Sequence, residues 1–305
     1  MVTEDEAGLR VDELLATRLA LGRRAAVRIA ARALHSGRRA RKGDRVRAGD
    51  VIELPASEDA EPLPAGGAPH IVRVTRDVVV LDKPAGLASV RVAGSARASA
   101  ADWLARAFPE CAAVGPAGEC GLAHRLDTGT SGLLLAARGD HAYRALRAQF
   151  DRHAIEKSYL ALVAGDVAAP FEVAVAIGQH PKSRRRMRAV EASGRSTVRY
   201  AARPAATRVE PVELLGGTTI VRAVTTTGAR HQIRVHLAHA GHPLVADALY
   251  GGTPRPGIAR YFLHAERIRW TDPATGEPAD DSAPEPETWA EIRRALSAER
   301  PTAPP

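Results

Sequence analysis

The segment 121–132 carries the densest set of chemically able side chains in the sequence: His124, Arg125, Leu126, Asp127, Thr128, Thr130 and Ser131, spaced by Gly121, Gly129 and Gly132. It runs straight into Leu133, Leu134 and Leu135. A polar loop feeding an apolar run predicts a strand buried on both faces, with Asp127 at its edge, where functional groups sit on a rigid scaffold. Two further polar clusters stand out. Thr227-Gly228-Ala229-Arg230-His231-Gln232-Ile233-Arg234 leads into a helix ending near Gly241, and Lys157-Ser158-Tyr159 begins another buried strand. A loop carboxylate can serve as a nucleophile or general base, or as a structural acceptor of backbone N–H groups. Spacing leaves both open.

Several chemistries are disfavoured by pattern. Gly129-Thr130-Ser131-Gly132 is one residue short of a G-x-S-x-G nucleophile elbow. His231, His236, His239 and His242 invite a metal, but there is no H-E-x-x-H and no acid among them, so no metal is expected. No Gly-rich phosphate loop precedes a helix, which argues against a nucleotide cofactor.

The elements that must position these residues fall into a small N-terminal unit and a long α/β stretch. Residues 8–55 read as a compact helical unit closed by a hairpin. Val11, Leu14, Leu15 and Leu19 give one helix an apolar face, and a second is expected to turn Val27, Ala30 and Leu34 to a core. Its other side carries Arg24, Arg28 and Arg32 at successive i+4 steps. The loop that follows adds Arg38, Arg39, Arg41 and Lys42, and Val46 to Leu54 reads as two strands around Gly49-Asp50. So many like charges in one small unit favour a polyanionic partner, RNA or DNA, over a merely solvated face.

Residues 56–69 are small, acidic and Pro/Gly-rich, a linker. The stretch 70–272 contains a strand at Val78–Leu81, a helix boxed by Ser99 and Asp102, and the buried strand Gly132–Ala137. A helix capped by Asp140 follows, with Tyr143, Leu146 and Phe150 on one face, then the strand Tyr159–Val163. Between strands lies a basic loop with His180, Lys182, Arg184, Arg185, Arg186 and Arg188, suited to an RNA backbone. Residues 273–305 read as a loose tail with one short helix at Trp289–Leu296.

Composition agrees with a nucleic-acid partner. The chain has 305 residues, a formal net charge of +8 and 43 basic residues, of which only Lys42, Lys83, Lys157 and Lys182 are lysines. Arginine supplies a planar fork for phosphate and can stack on bases. Cys111 and Cys120 are too few for a disulfide scaffold or a four-thiolate zinc site. The acidic start lacks an apolar signal region, and no apolar run approaches the roughly 18 residues of a membrane span. A cytoplasmic protein with no membrane partner is expected.

The string His124-Arg125-Leu126-Asp127-x-x-Thr130-Ser131-Gly132-Leu133 resembles the signature of the RluA-type family of RNA pseudouridine synthases. Three further segments resemble the family's motifs in order: Val80 to Leu87 with Asp82-Lys83-Pro84, Lys157 to Val163 with Tyr159, and Thr227 to Leu237 continuing through Gly241-His242-Pro243-Leu244-Val245 to Asp247. The first 55 residues resemble, more weakly, the small RNA-binding domain shared with a small-subunit ribosomal protein (S-four-like), through Arg10-Val11-Asp12 and the Gly-Asp turn at Asp50.

The resemblance implies an α+β fold: a catalytic domain with a large mixed, mainly antiparallel sheet flanked by helices and loops, plus the small N-terminal α/β-hairpin domain. It implies isomerisation of uridine in structured RNA, 23S ribosomal RNA first and tRNA as the alternative, by a monomer without metal or cofactor. A non-catalytic RNA-binding or ribosome-assembly factor is the competing reading. The implied catalytic residues are Asp127, its partner Arg234, and Tyr159, stacking on uracil with its hydroxyl as a proton acceptor. His124, Arg125, Leu126, Lys157, Arg230, His231 and Ile233 are implied as substrate-binding, with Arg125 filling the vacated place of a flipped base. Two departures are notable. Ala229 stands where the family carries arginine, so Arg230 is expected on phosphate instead, and Ala246 stands for a common glycine, expected as a packing change.

Overall fold

The computed structural model describes residues 1–18, 26–27, 30, 33–41, 43–53, 67–92, 97–191, 202–258 and 260–298. Two compact units emerge: Met1–Pro62 with Arg91–Ala98, and Leu63–Val90 with Ser99–Pro305.

In the first unit, helix α1 (Val11–Arg18) buries Val11, Leu14 and Leu15 against Val2, Ala26, Ala40 and Val46. The strands β1 (Leu34–His35), β2 (Arg38–Arg39) and β3 (Ile52–Glu53) form a small sheet with β1 central. The hairpin therefore turns at Ser36-Gly37, just before the expected basic residues, two of which form β2, and not at Gly49-Asp50. Asp50 explains the exchange: it binds His35 Nε2 at 2.6 Å and the Arg47 amide at 2.8 Å, closing a turn without a second strand. Val27 and Leu34 are exposed, not core; only Ala30 of that set packs inward. Arg38 pairs with Asp44 at 3.1 Å, and Arg38, Arg39 and Arg41 are exposed. Arg24, Arg28, Arg32 and Lys42, with Leu19 and most of the expected linker, lie outside the described residues.

The second unit is built on a nine-stranded sheet. Its strands are β4 (His70–Val74), β5 (Val78–Lys83), β6 (Ser131–Ala137), β7 (Glu156–Ala164), β8 (Phe171–Val173), β11 (Thr207–Leu215), β12 (Thr218–Thr225), β13 (Leu263–Thr271) and β14 (Pro278–Ser282). They run in the order β4-β5-β6-β13-β7-β12-β11-β8, with β14 alongside β13. Every ladder is antiparallel except β6 with β13. A separate hairpin joins β9 (Ala176–Gln179) to β10 (Met187–Val190).

The unbroken apolar runs are explained by what covers the sheet. Val79, Leu81 and Leu134 enter one core with Leu104 of α2 (Ala100–Ala107) and Leu237 of α4 (Gln232–His239). Their neighbours Val78, Val80, Leu133 and Leu135 enter another with Leu146 of α3 (Asp140–Asp151). Both faces are roofed, so alternation disappears from the sequence. Ser99 caps α2 with Asp102 in a reciprocal box. Asp140 caps nothing: Gly139 holds the cap position and Asp140 is the first helical residue. At Gly132, φ is +109° and a Cβ would collide with the Ala265 backbone, so only glycine lets β6 meet β13.

The stretch after Asp272, expected as a loose tail with one short helix, contributes a strand, β14, besides that helix, α5 (Glu287–Ala298). Trp289 and Leu296 are buried against Leu162, Ile220 and Phe262. Scattered Pro and Glu hid a strand that needs only backbone pairing with β13.

Candidate active site

The loop bearing Asp127 is pinned from both sides. Ser89 Oγ accepts the Leu126 amide at 2.9 Å and donates to the Leu126 carbonyl at 2.8 Å, and the Gly86 amide donates to the Thr128 carbonyl at 2.7 Å. Lys83, fully buried at the end of β5, donates from Nζ to the carbonyls of Thr130 (2.5 Å), Leu87 (2.8 Å) and Pro84 (3.0 Å). Burial pushes this lysine down to about 7, opposed by the charge of Asp127, while the three carbonyls use all three hydrogens of the ammonium form. Gly129 lies under Tyr261, where a Cβ would sit 2.7 Å from the ring. The carboxylate of Asp127 is what this tight turn leaves projecting, its side chain 24% exposed.

Helix α4 delivers the matching cation. Arg234 Nη1 donates to Asp127 Oδ2 at 3.0 Å, while Nε and Nη2 grip Asp247 at 2.7 and 2.8 Å as a bidentate fork. Arg234 and Asp247 are buried, 6% and 2% exposed. Burial works against the guanidinium's charge, but the bonds to Asp247 and the charges of Asp247 and Asp127 outweigh it, so its pKa is raised. The guanidinium carbon also lies 4.4 Å from the Tyr261 ring centroid and 5.0 Å from that of Tyr250. Burial, reinforced by Asp127 and opposed by Arg234, pushes the Tyr261 phenol up to about 12.

Tyr159 lies on β7 in the core that also holds Leu126 and Ile233. Burial first, and the Asp127 charge second, push its phenol well above the usual range, so it stays protonated. His231 precedes α4 in a left-handed conformation (φ +57°) and places Nε2 3.7 Å from Asp127 Oδ1. Burial lowers its pKa, with the charge of Asp127 opposing.

The fold thus gathers Asp127, Arg234, His231 and Tyr159 about one carboxylate, with Leu126 and Ile233 packed beneath. Arg125, two residues before Asp127 in the chain, is exposed. His124 and Lys157 meet elsewhere, on Phe150, with ring centroids 4.8 Å apart and Lys157 Nζ 5.5 Å from the ring. His124 Nε2 accepts the Leu135 amide and Lys157 donates to the Thr227 carbonyl at 2.6 Å, which braces the two motif loops. Arg230, expected on phosphate, is exposed and donates to the carbonyls of Arg184 (3.1 Å) and Arg185 (3.5 Å) in the basic hairpin. Arg184, Arg185 and Arg186 are exposed at its tip. The four histidines considered for metal part company: His231 and His242 face Tyr250 and the Ala164 carbonyl, His236 bridges Thr207 and Val175, and His239 is exposed.

Sequence reasoning gave no role to Lys83, Ser89, Asp247, Tyr250 or Tyr261. One signal was available for Asp247: it is the lone acid between His242 and Arg255, in an otherwise apolar turn. Ala246 beside it has φ +62°, so its replacement of glycine strains the backbone and is more than a packing change.

Comparisons with known proteins bear on this arrangement. A family model described as RNA pseudouridylate synthase matches residues 77–239. A ribosomal large subunit pseudouridine synthase D of Xanthomonas campestris is 33% identical over 88% of this chain and 81% of its own length. Synthase C of Vibrio vulnificus is 30% identical over 98% of this chain and 96% of its own, and synthase C of Escherichia coli 32% over 93% and 91%. Among solved structures, human RNA pseudouridylate synthase domain containing 1 covers 77% of this chain and 86% of its own, with a TM-score of 0.56 and 27% identity. Human domain containing 4, at 19% identity and a TM-score of 0.58, shares the fold. By sequence and by architecture, the chain belongs to the RNA pseudouridylate synthase family, in its RluA-type branch.

Proposed function

We propose that this enzyme converts uridine to pseudouridine in large-subunit ribosomal RNA, with Asp127 as the reacting carboxylate. The observation that carries the reading is the Asp127 carboxylate, projecting from a pinned turn and charge-paired at 3.0 Å with an arginine whose other face is locked by Asp247. A carboxylate desolvated by bound substrate would otherwise take up a proton and lose its nucleophilicity; a guanidinium cannot give it one. The substrate class follows the relatives, named for the ribosomal large subunit.

The reaction breaks the bond from C1′ to N1, turns the uracil and joins C5 to C1′; C5 loses a hydrogen and N1 gains one. Uridine and pseudouridine are isomers, so no oxidant or co-substrate is consumed. Asp127 attacks the uridine, at ribose or base, or assists glycosidic cleavage. The uridine must first leave its stack, at a cost of a few kcal/mol, and Arg125, which is exposed, fills the gap in this reading. Tyr159 stacks on the extruded base. Because its phenol stays protonated, it accepts the C5 hydrogen only while passing its own onward.

Arg184, Arg185 and Arg186 supply phosphate contacts, as do the exposed Arg38, Arg39 and Arg41 of the S-four-like unit, with Arg24, Arg28, Arg32 and Lys42 assigned to the same role from sequence. We take the enzyme to act as a monomer. Among the described residues no helix is long and apolar enough to cross a membrane; a ribosomal RNA substrate supports a cytoplasmic location. The test is Asp127→Asn: it should abolish tritium release from C5-labelled uridine RNA while RNA affinity stays within about threefold. Tritium release by that variant would refute the assignment.

A further inference from the structure

One side chain joins the basic hairpin to the reacting carboxylate. The hydroxyl of Tyr250 accepts the Met187 amide at 3.0 Å, at the start of β10, and lies 2.7 Å from Nδ1 of His231. The Tyr250 ring also sits 6.0 Å from the guanidinium carbon of Arg186 and 5.0 Å from that of Arg234. His231 turns its other nitrogen, Nε2, to Asp127 Oδ1 at 3.7 Å.

The direction of this chain follows from counting hydrogens. A phenol has one to give, and its oxygen already accepts from Met187, so the arrangement that satisfies every atom has Tyr250 donating to His231 Nδ1. Burial lowers the His231 pKa against the opposing charge of Asp127, which favours a ring with a single hydrogen. That hydrogen then resides on Nε2 and faces the carboxylate; the other tautomer would set a lone pair against Asp127.

We propose that Tyr250 is a positioning residue: through Met187 N–H, Tyr250 O–H and His231 it fixes the imidazole and the basic hairpin in one arrangement about Asp127, so that phosphate gripped at Arg184–Arg186 is in register with the carboxylate. The inference rests on Asp127 as the reacting group and on the hairpin as an RNA contact. Arg230 adds a second tie to the hairpin through the carbonyls of Arg184 and Arg185.

Tyr250→Phe in the full-length chain keeps the ring and removes only the hydroxyl. Three readouts are expected to move together. Exchange of the Met187 amide speeds up at least about tenfold while amides of β7 stay protected. Nitrogen NMR of labelled histidine shows His231 passing from the Nε2–H form to a mixture of tautomers. KM for substrate RNA rises roughly threefold to tenfold, the worth of one net hydrogen bond, with kcat within about threefold of wild type. Tyr143→Phe, which removes a phenol packed against the opposite core, should leave all three unchanged.

An unaltered tautomer with Met187 still protected overturns the proposal, as does an altered network with unaltered KM, or a Tyr143→Phe variant with the same rise in KM. Wild-type conversion measured in parallel separates the two levels. A wild type that makes no pseudouridine sinks the proposed function, whereas a converting wild type with a silent Tyr250→Phe sinks only the positioning role.

Discussion

Replacing Asp247 by Asn changes one atom and leaves the shape intact, yet it should be among the most damaging single changes in the second unit. Arg234 is 6% exposed, and two of its three charge-assisted bonds go to Asp247, itself 2% exposed. The third goes to Asp127, whose side chain is 24% exposed and partly solvated. Breaking a buried pair from one side strands the other charge in a poorly solvated place, at a cost of roughly 3–5 kcal/mol. For a unit of this size that is a fall in Tm of roughly 6–20 °C. Asp127→Asn removes only one bond from a wetter position and leaves the Asp247 fork in place, so it should cost no more than about 1.5 kcal/mol. Urea unfolding of both variants gives the comparison directly. Activity should follow a different order: Asp127→Asn is inactive, while Asp247→Asn keeps the carboxylate but loses its fixed partner, a misplacement worth about 100-fold in kcat. If Asp247→Asn unfolds within about 1 kcal/mol of wild type, or is less destabilised than Asp127→Asn, the claim that Asp247 anchors Arg234 is wrong.

Three other expectations can be checked with purified protein. Ala246 holds φ +62°, so Ala246→Gly should relieve roughly 1 kcal/mol of left-handed strain and raise Tm; an unchanged or lower Tm would remove the strain account. Burial depresses the pKa of His124 (to about 3), His231, His236 and His264 in the fold, while the unfolded chain takes up protons from 6.5 downward. The unfolded state therefore binds more protons below pH 6.5, and stability should fall as pH drops from 6.5 toward 4. A Tm that is flat between pH 7 and 5 contradicts this. Finally, Arg184→Ala with Arg185→Ala should weaken RNA binding and reduce the slope of log affinity against log salt by roughly 1–2, since each lost phosphate contact releases about one counterion fewer. An unchanged slope would take the hairpin off the RNA backbone.

The strands that carry the site were legible because the apolar runs at Val78–Leu81, Gly132–Ala137 and Tyr159–Val163 admit little else, and the structure extends each by a few residues at most at either end. Ser99 with Asp102 announced a helix start for a similar reason: the box closes within three residues. Asp140 misled, since an Asp before a helical stretch reads the same at the cap or one residue inside it. The small unit was read least well. Val27 and Leu34 are aliphatic at helical spacing, but Leu34 belongs to a two-residue strand, and nothing local reports which aliphatic residues a small core leaves out. The strand β14 was illegible because Pro278–Ser282 carries acids rather than apolar alternation, and its pairing with β13 is a matter of backbone bonds and of Arg267 meeting Asp280 at 2.7 Å.

By itself the sequence determined the reacting candidates and their order along the chain, because residue type and spacing within a loop are local properties. It also determined the family, because four motifs recur together between residues 78 and 251. The resemblance had already set Arg234 against Asp127; only the tertiary structure decided what else holds each group, with Asp247 gripping the rest of Arg234 and the Thr130 carbonyl taking Lys83. Arg234 and Asp127 are 107 positions apart, Lys83 and the Thr130 carbonyl 47, and Arg230 and the Arg184 carbonyl 46. Electrostatic pairing at 3 Å depends on where helices and strands bring their ends. That is why the tie from Arg230 to the hairpin could not be read from the sequence, and why Tyr250, unnoticed among apolar neighbours, stands between the basic hairpin and the carboxylate.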